Sequence, residues 1–313
     1  MTQVVTNQVS GITPQLWSTM VQVPLYKSLV AMEVANMRLQ DELKFADRIN
    51  IPRFGSLSVQ TYTPGTTISA TNQSWTYDTL IVSSYKYVAF YVDNVKNLQT
   101  NVDQARELAT EAAYQLKNQI DTDIFKNITG TDGFTSYQAD AGTLQNGTAH
   151  RPVSAGSASI INLFANARKL LRQNNVEETG DWCAVVTPQI AAYVETKAAS
   201  VGFNVADSTL RNGYAGDFMG FQVYISNNLP SGKASAISPT ISGGAVSATT
   251  CKSIYFGRKG MIDVVMQSAP ALEIRQKDDM IGSNFITWTV YGSTVTTKNR
   301  SRGLNVAVQS GFY

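Results

Sequence analysis

Residues 85–127 read YKYVAFYVDNVKNLQTNVDQARELATEAAYQLKNQIDTDIFKN, and two hydrophobic periods meet inside this stretch. In the first part Tyr85, Tyr87 and Tyr91 share one face while Val88, Phe90 and Val92 share the other. A period of two is the mark of a strand. Beyond Thr100 or Asn101, either of which suits a helix N-cap, the period changes. Val102, Ala105, Leu108, Ala109, Ala112, Leu116, Ile120 and Ile124 recur at helical spacing. They fill about seven turns at about 3.6 residues per turn, more than about twice the usual helix length. A strand handing over to one very long helix is the frame of the chain.

Upstream, the alternation reaches back to Trp75, behind a small, polar run from Thr66 to Ser74 and a turn signal at Thr63-Pro-Gly65. Ser56 to Thr63 also alternates, and Asp47 to Arg53 is a short alternating strand ahead of Gly55. Residues 47–93 therefore read as one long β-hairpin with a wide polar tip. Two strands alone are marginal in water, so something else must cover them. Ahead of the hairpin, Thr13-Pro14 reads as a helix start. Leu16, Trp17, Met20 and Val21, then Leu25, Leu29, Met32, Val34 and Met37, form an apolar N-terminal arm over residues 1–46.

Downstream, Thr129 to Gly156 is rich in Gly, Thr, Asp and Asn and reads as a loop or small excursion. Ile160, Leu163, Phe164, Ala167, Leu170 and Leu171 stripe a second helix from Ser157 to Gln173. Beyond Gly180 the texture alternates strand and helix. Trp182 to Val186 is a strand, Thr187-Pro188 opens a helix to Lys197, and Phe221 to Ile225 is a strand. Ser231 to Thr250 is low in complexity and expected to be a mobile loop. Further strands are expected at Cys251–Phe256, Ile262–Met266, Leu272–Arg275, Phe285–Tyr291 and Leu304–Val308. The class is α+β, and no internal repeat is visible.

The composition suits a protein that packs against itself. Only 15% of the 313 residues are charged, well below the usual quarter. The net charge is +2. Such a surface repels its own copies weakly, and it carries no overall basic excess of the kind nucleic-acid binders show. Residues 1–7 are polar and give no secretory signal. No run approaches the roughly 18 apolar residues of a membrane span. The expected compartment is a reducing cytoplasm, where the sequons at Asn72, Asn127, Asn146 and Asn299 go unused. Cys183 and Cys251 are then expected as small buried hydrophobes.

A search for chemistry ends without a site. His150 is the only histidine and sits in a polar run beside Arg151-Pro152, which rules out a two-histidine metal site within one chain. Ser231-Gly-Lys233 lacks the flanking residues of a phosphate loop, since Asn227 and Ala234 stand where Gly and Ser or Thr are needed. Gly213-Tyr-Ala-Gly216 and Gly216-Asp-Phe-Met-Gly220 read as turns. Asp278-Asp279 and Glu177-Glu178 read as solvated turns, because neighbouring residues point apart. Lys298-Asn-Arg300-Ser-Arg302, the densest basic cluster, reads as a solvated strand connection rather than a nucleic-acid contact. No cofactor, metal or enzymatic activity is expected.

The order of these elements resembles the major capsid proteins of tailed bacteriophages, the Hong Kong ninety-seven type of fold, which encapsulins share. Ile51-Pro-Arg53 followed by Tyr62-Thr-Pro-Gly65 is similar to the family's strand into its extended loop. Tyr85 to Asp93 resembles the returning strand before the spine helix. Gly216-Asp-Phe-Met-Gly-Phe-Gln-Val-Tyr-Ile-Ser-Asn-Asn-Leu-Pro230 resembles an axial-domain phrase, and Tyr291-Gly-Ser-Thr-Val295 a late strand of the peripheral domain.

The resemblance implies an N-terminal arm (1–46), an extended loop lying across a neighbouring subunit (47–93) and a peripheral domain holding the spine helix (94–179). It further implies an axial domain (180–269) and returning strands of the peripheral domain (270–313). It implies a structural protein that self-assembles, as pentamers and hexamers, into an icosahedral shell around double-stranded DNA. The location is the virion, assembled in the host bacterial cytoplasm. An encapsulin-type compartment is the alternative, with a tail-tube protein behind it. Contact with DNA would be non-specific and no membrane would be involved. A separate scaffolding protein, a portal and a decoration protein are implied partners, with an uncleaved N-terminus. Trp17, Tyr62, Trp75, Tyr77 and Tyr85 are the expected subunit-interface residues, as large aromatics commonly anchor interfaces.

Overall fold

Hydrophobic period decides most elements. The computed structural model describes residues 26–27, 29–43, 46–68, 70, 74–93, 104–130, 132–140, 143–146, 157–200, 214–231, 251–276 and 281–309. The first elements are a short helix α1 (Ala31–Val34), a 3₁₀ turn (Gln40–Glu42) and strand β1 (Arg48–Phe54). Strands β2 (Trp75–Ile81) and β3 (Ser84–Asp93) precede the long helix α2 (Gln104–Lys126). Then come β4 (Thr135–Asp140), β5 (Thr143–Asn146), helix α3 (Ser157–Gln173), β6 (Trp182–Val186) and helix α4 (Pro188–Ser200). The remainder is β7 (Tyr214–Phe218), β8 (Phe221–Ile225), β9 (Cys251–Arg258), β10 (Asp263–Gln276), β11 (Gly282–Thr294), short helix α5 (Thr297–Arg300) and β12 (Leu304–Gln309).

The described strands form three sheets, ordered β1-β2, β10-β11-β3 and β5-β4-β12-β9-β6-β8-β7. Strand β6 is buried at every position, Trp182 to Val186. A strand buried on both faces lies at the centre of a covered sheet. Phe164 of α3 meets Phe218, Phe221 and Phe256 edge-on, with ring centroids 5.0, 5.8 and 5.1 Å apart. Edge-to-face packing suits the aromatic quadrupole. The same core takes in Ile120, Ile124 and Phe125 from the second half of α2. A smaller cluster of Leu43, Leu80, Val82 and Val265 joins the hairpin base to β10.

Several expectations change in three dimensions. The single long hairpin over residues 47–93 is two structures. Strand β1 pairs with β2 from Arg48↔Ile81 to Phe54↔Trp75. After Val82 and Ser83 the chain changes sheets, and β3 pairs with β11 instead. Ser56 to Thr63 forms no strand and is exposed throughout, because alternation without a partner strand leaves the backbone bonded to water.

The stretch from Thr129 to Gly156 contains the β4–β5 hairpin, and β4 runs parallel to β12 from Leu304↔Thr135 to Val306↔Tyr137. Its strand character comes from a partner far away in sequence. The glycine-rich run before Phe221 is strand β7, with its turn confined to Met219 and Gly220 at φ +51° and +81°. Two positive φ values in a two-residue loop match the twist that a tight hairpin needs. The basic cluster lies in the connection between β11 and β12, where Thr297–Arg300 forms the short helix α5. The two strands expected between Ile262 and Arg275 are one, β10, interrupted by register shifts. Strand β12 lies between β4 and β9 in the seven-stranded sheet.

Candidate functional site

The β1–β2 hairpin has one covered face and one bare face. Ile49, Ile51 and Arg53 of β1 and Asp78 and Leu80 of β2 turn inward. The opposite face carries Pro52, Phe54, Trp75, Tyr77 and Ile81, all exposed. Trp75 and Tyr77 are 68% and 66% exposed, although each could bury a large apolar area. Trp75 leans edge-on against Phe54, its cross-strand neighbour, with centroids 4.5 Å apart. Contiguous apolar surface of this kind on a folded chain marks an interaction site.

The β3–β11 sheet repeats the arrangement. Its inner face lies toward α2 and includes Phe90 stacked on Phe285 at 5.1 Å with ring planes only 2° apart. Asp123 of α2 ties that face to the helix. It accepts the Tyr291 hydroxyl at 2.6 Å and the Lys126 ammonium at 2.6 Å, with Lys86 at 3.8 Å. Burial pushes the Asp123 carboxyl up, but these donors outweigh it and its pKa lies below the usual value. Burial raises the Tyr291 hydroxyl, reinforced by its bond to Asp123. The outer face presents Tyr85, Tyr87, Tyr91 and Trp288, and Tyr87 stands directly across from Trp288.

A third apolar feature is a groove of about 720 Å³ along the first half of α2, floored by Ala105, Ala109 and Ala113 and walled by Tyr26, Leu272 and Phe285. The Tyr26 and Tyr114 rings lie 4.1 Å apart at one end of it. The helical stripe read from sequence is thus buried at Ala112, Leu116, Ile120 and Ile124 but open at Leu108.

Of the expected interface residues, Trp75 and Tyr77 fall together on the bare hairpin face, and Tyr85 lies on the outer face of β3. Tyr62 is exposed in the strandless run before Ser74. Trp17 lies outside the described residues, as does His150. Sequence reading missed Phe54, Ile81 and Trp288. The alternation that exposed Trp75 and Tyr77 extends to Ile81, and the pairing that adds Phe54 and Trp288 is not written in either strand alone.

The arrangement is adhesive in character. Among the described residues no three His, Cys, Asp or Glu side chains converge as metal ligands. Cys183 is fully buried in β6, and burial pushes its thiol up to about 12, far from a reactive thiolate. The Cys251 side chain lies outside the described ones. No helix is long and apolar enough among the described residues to cross a membrane.

The model of a family described as "Phage capsid protein" matches residues 79–306, more than half of the chain. No curated protein sequence matches. Among solved structures, one from Mycobacterium phage Che8 is similar with a TM-score of 0.72 at 20% identity, covering 95% of this chain and 97% of that one. The capsid asymmetric unit of cyanophage Pam1 is similar with a TM-score of 0.70 at 9% identity, covering 98% and 99%. The capsid of cyanophage P-SCSP1u gives 0.66 at 14% identity, covering 96% and 94%. At these identities the likeness is one of fold.

Proposed function

The chain belongs to the phage capsid protein family, and from that premise we propose how its copies hold a shell together. It is a structural major capsid protein with the Hong Kong ninety-seven type of fold, and its copies form an icosahedral shell. Its place is the virion. In the proposed assembly, the bare hairpin face bearing Phe54, Trp75 and Tyr77 lies against a neighbouring copy, as does the outer face bearing Tyr85. Tyr62, in the run between β1 and β2, and Trp17, in the arm, belong to the same contacts. Helix α2 with the three-stranded sheet acts as the peripheral part, and α2 as its spine. Residues 180–269, with α4 and β6 to β9, supply the axial part, near the five- and six-fold axes.

The observation that carries this arrangement is the uncovered aromatic row on a two-stranded sheet. Such a sheet is marginal alone, and burying each large apolar side chain is worth about 1.5–3 kcal/mol. Symmetry repeats that modest gain at every interface. The shell encloses double-stranded DNA, whose contact with the protein is non-specific. Scaffolding, portal and decoration proteins are its assembly partners, and assembly takes place in the host cytoplasm. Negative-stain imaging of the purified protein tests the reading. Closed particles of uniform size support it, and a monodisperse monomer at high concentration sinks it.

A further inference from the structure

Three lysines from distant parts of the chain line one cavity of about 400 Å³, and among the described residues no carboxylate lines it with them. Lys27 comes from the segment before α1, Lys126 from the last turn of α2 and Lys252 from β9. Ser231 adds a hydroxyl and Asn227 an exposed amide, whereas the Thr122 hydroxyl already donates to the Asn118 carbonyl at 2.9 Å. Lys27 donates to Asn228 Oδ1 at 3.2 Å, and Lys252 donates to the Leu229 carbonyl at 3.1 Å. Both acceptors are neutral, and an ammonium has three N–H donors, so each lysine keeps further donors.

Of the nearby acids, Asp121 is committed elsewhere, while Asp123 holds the Lys126 ammonium, so Lys126 reaches the cavity already paired. Asp121 accepts the Ala31 backbone N–H at 2.8 Å and the Asn228 amide at 2.9 Å, and it attracts Lys27 only at longer range. Asp123 pairs with Lys126 and faces Tyr291 on the other side. Asn228 is itself buried and held, because its amide donates to both Asn118 and Asp121 at 2.9 Å. Its oxygen, and therefore Lys27, has a set position at the cavity.

We propose that this cavity is a phosphate-binding site. Several ammonium groups approaching from different directions suit a tetrahedral oxyanion with acceptors on every side, and lysine binds phosphate as a point charge. Hydroxyl and amide donors fill the remaining directions. The phosphate comes from a nucleic-acid backbone or from a free phosphate. The first source rests on the shell reading above, and the second does not.

The test uses the full-length protein and two probes, inorganic pyrophosphate and a short DNA duplex, each titrated at several salt concentrations. Lys27→Gln and Lys252→Gln are each expected to weaken pyrophosphate binding by about tenfold, the equivalent of one charged hydrogen bond. Asn227→Asp, which leaves all three lysines in place, is expected to weaken it similarly. Lys169→Gln on the exposed face of α3 is the control and is expected to change little. If the backbone is the source, duplex affinity falls in parallel and the salt slope drops by about one per lysine removed. Loss of pyrophosphate binding with duplex binding unchanged retains the site and overturns the DNA source. Pocket variants that bind both probes like the wild type, or like Lys169→Gln, overturn the site itself. Failure to form particles would defeat the shell reading while leaving the pyrophosphate result intact.

Discussion

The carboxylate of Asp78, on β2, accepts both the backbone N–H of Thr297 at 3.0 Å and its hydroxyl at 2.6 Å. Thr297 opens helix α5, whose own N-cap residue, Thr296, makes no side-chain cap bond. An aspartate 219 positions away in sequence therefore supplies the cap, and the same bonds fasten the inner face of the hairpin to the body. Arg53, across the hairpin from Thr76, sits 3.9 Å from the same carboxylate.

Burial alone would raise the Asp78 pKa, but the Thr297 bonds and the Arg53 and Arg300 charges outweigh it and leave the pKa below the ordinary 3.8. A depressed carboxyl contributes stability that is intact above the unfolded value and is lost as pH falls through the folded one. Asp78→Ala should cost about 2–3 kcal/mol at neutral pH, from a lost cap and charged hydrogen bonds. The difference from wild type should shrink below about pH 3.8. Denaturant unfolding at a series of pH values measures both. A constant gap down to strong acid would contradict the assignment.

Trp75 contributes little to the single chain, since its main ring contact is the equally exposed Phe54. Trp75→Ala should shift the stability of the unassembled protein by less than about 1 kcal/mol, as surface substitutions do. Particle yield should fall severalfold in the same preparation. Wild-type yield of normal particles would remove Trp75 from the interface.

Gly292 is where β11 and the hairpin base meet most closely. A Cβ there would overlap the Ile81 carbonyl oxygen and touch Val82 Cα at 3.0 Å. Both obstacles are backbone, so Gly292→Ala must push β11 and the β2–β3 junction apart. Overpacking of this kind costs about 1–3 kcal/mol. Calorimetry should record a lower midpoint for Gly292→Ala, and an unchanged midpoint would show that the two segments separate freely.

No lysine occurs between Arg53 and Lys86, so the outer hairpin offers no amine for a covalent cross-link between subunits. Lys86 lies 3.8 Å from Asp123 of its own chain, an ordinary ion-pair distance. Boiled particles in denaturant should run as one band near 34.0 kDa. A ladder of oligomers that survives reducing agent would disprove this.

Cys183 should resist alkylation in the native protein, because it is fully buried and its thiol is pushed up to about 12. Mass spectrometry after iodoacetamide treatment should find Cys183 unlabelled until denaturant is added. Labelling at native-state rates would require β6 to open far more readily than a central strand does.

Periodicity alone was enough for the elements whose partners merely had to be apolar. Helix α2 follows from the spacing of Ala112, Leu116, Ile120 and Ile124, and α3 from Ile160, Leu163, Phe164 and Ala167. The bare face of β2 was also legible, since Trp75 and Tyr77 sit two apart in an alternating run. A side chain's face depends on its own neighbours in sequence, and that is local information.

Partnership is not local, and only the tertiary structure decided it. Strand β3 resembles a continuation of β2 until β11 claims it, because period two is the same whichever sheet supplies the hydrogen bonds. Strand β4 looked like loop because its partner, β12, lies at the other end of the sequence. Asp78 and Asp121 each cap a helix that belongs to a remote segment, which no local pattern marks. Lys27, Lys126 and Lys252 meet in one cavity for the same reason. The sequence determined what each segment is and which face it offers. Packing decided which distant segments meet, since that choice minimises exposed apolar area and unpaired polar groups over the whole chain at once.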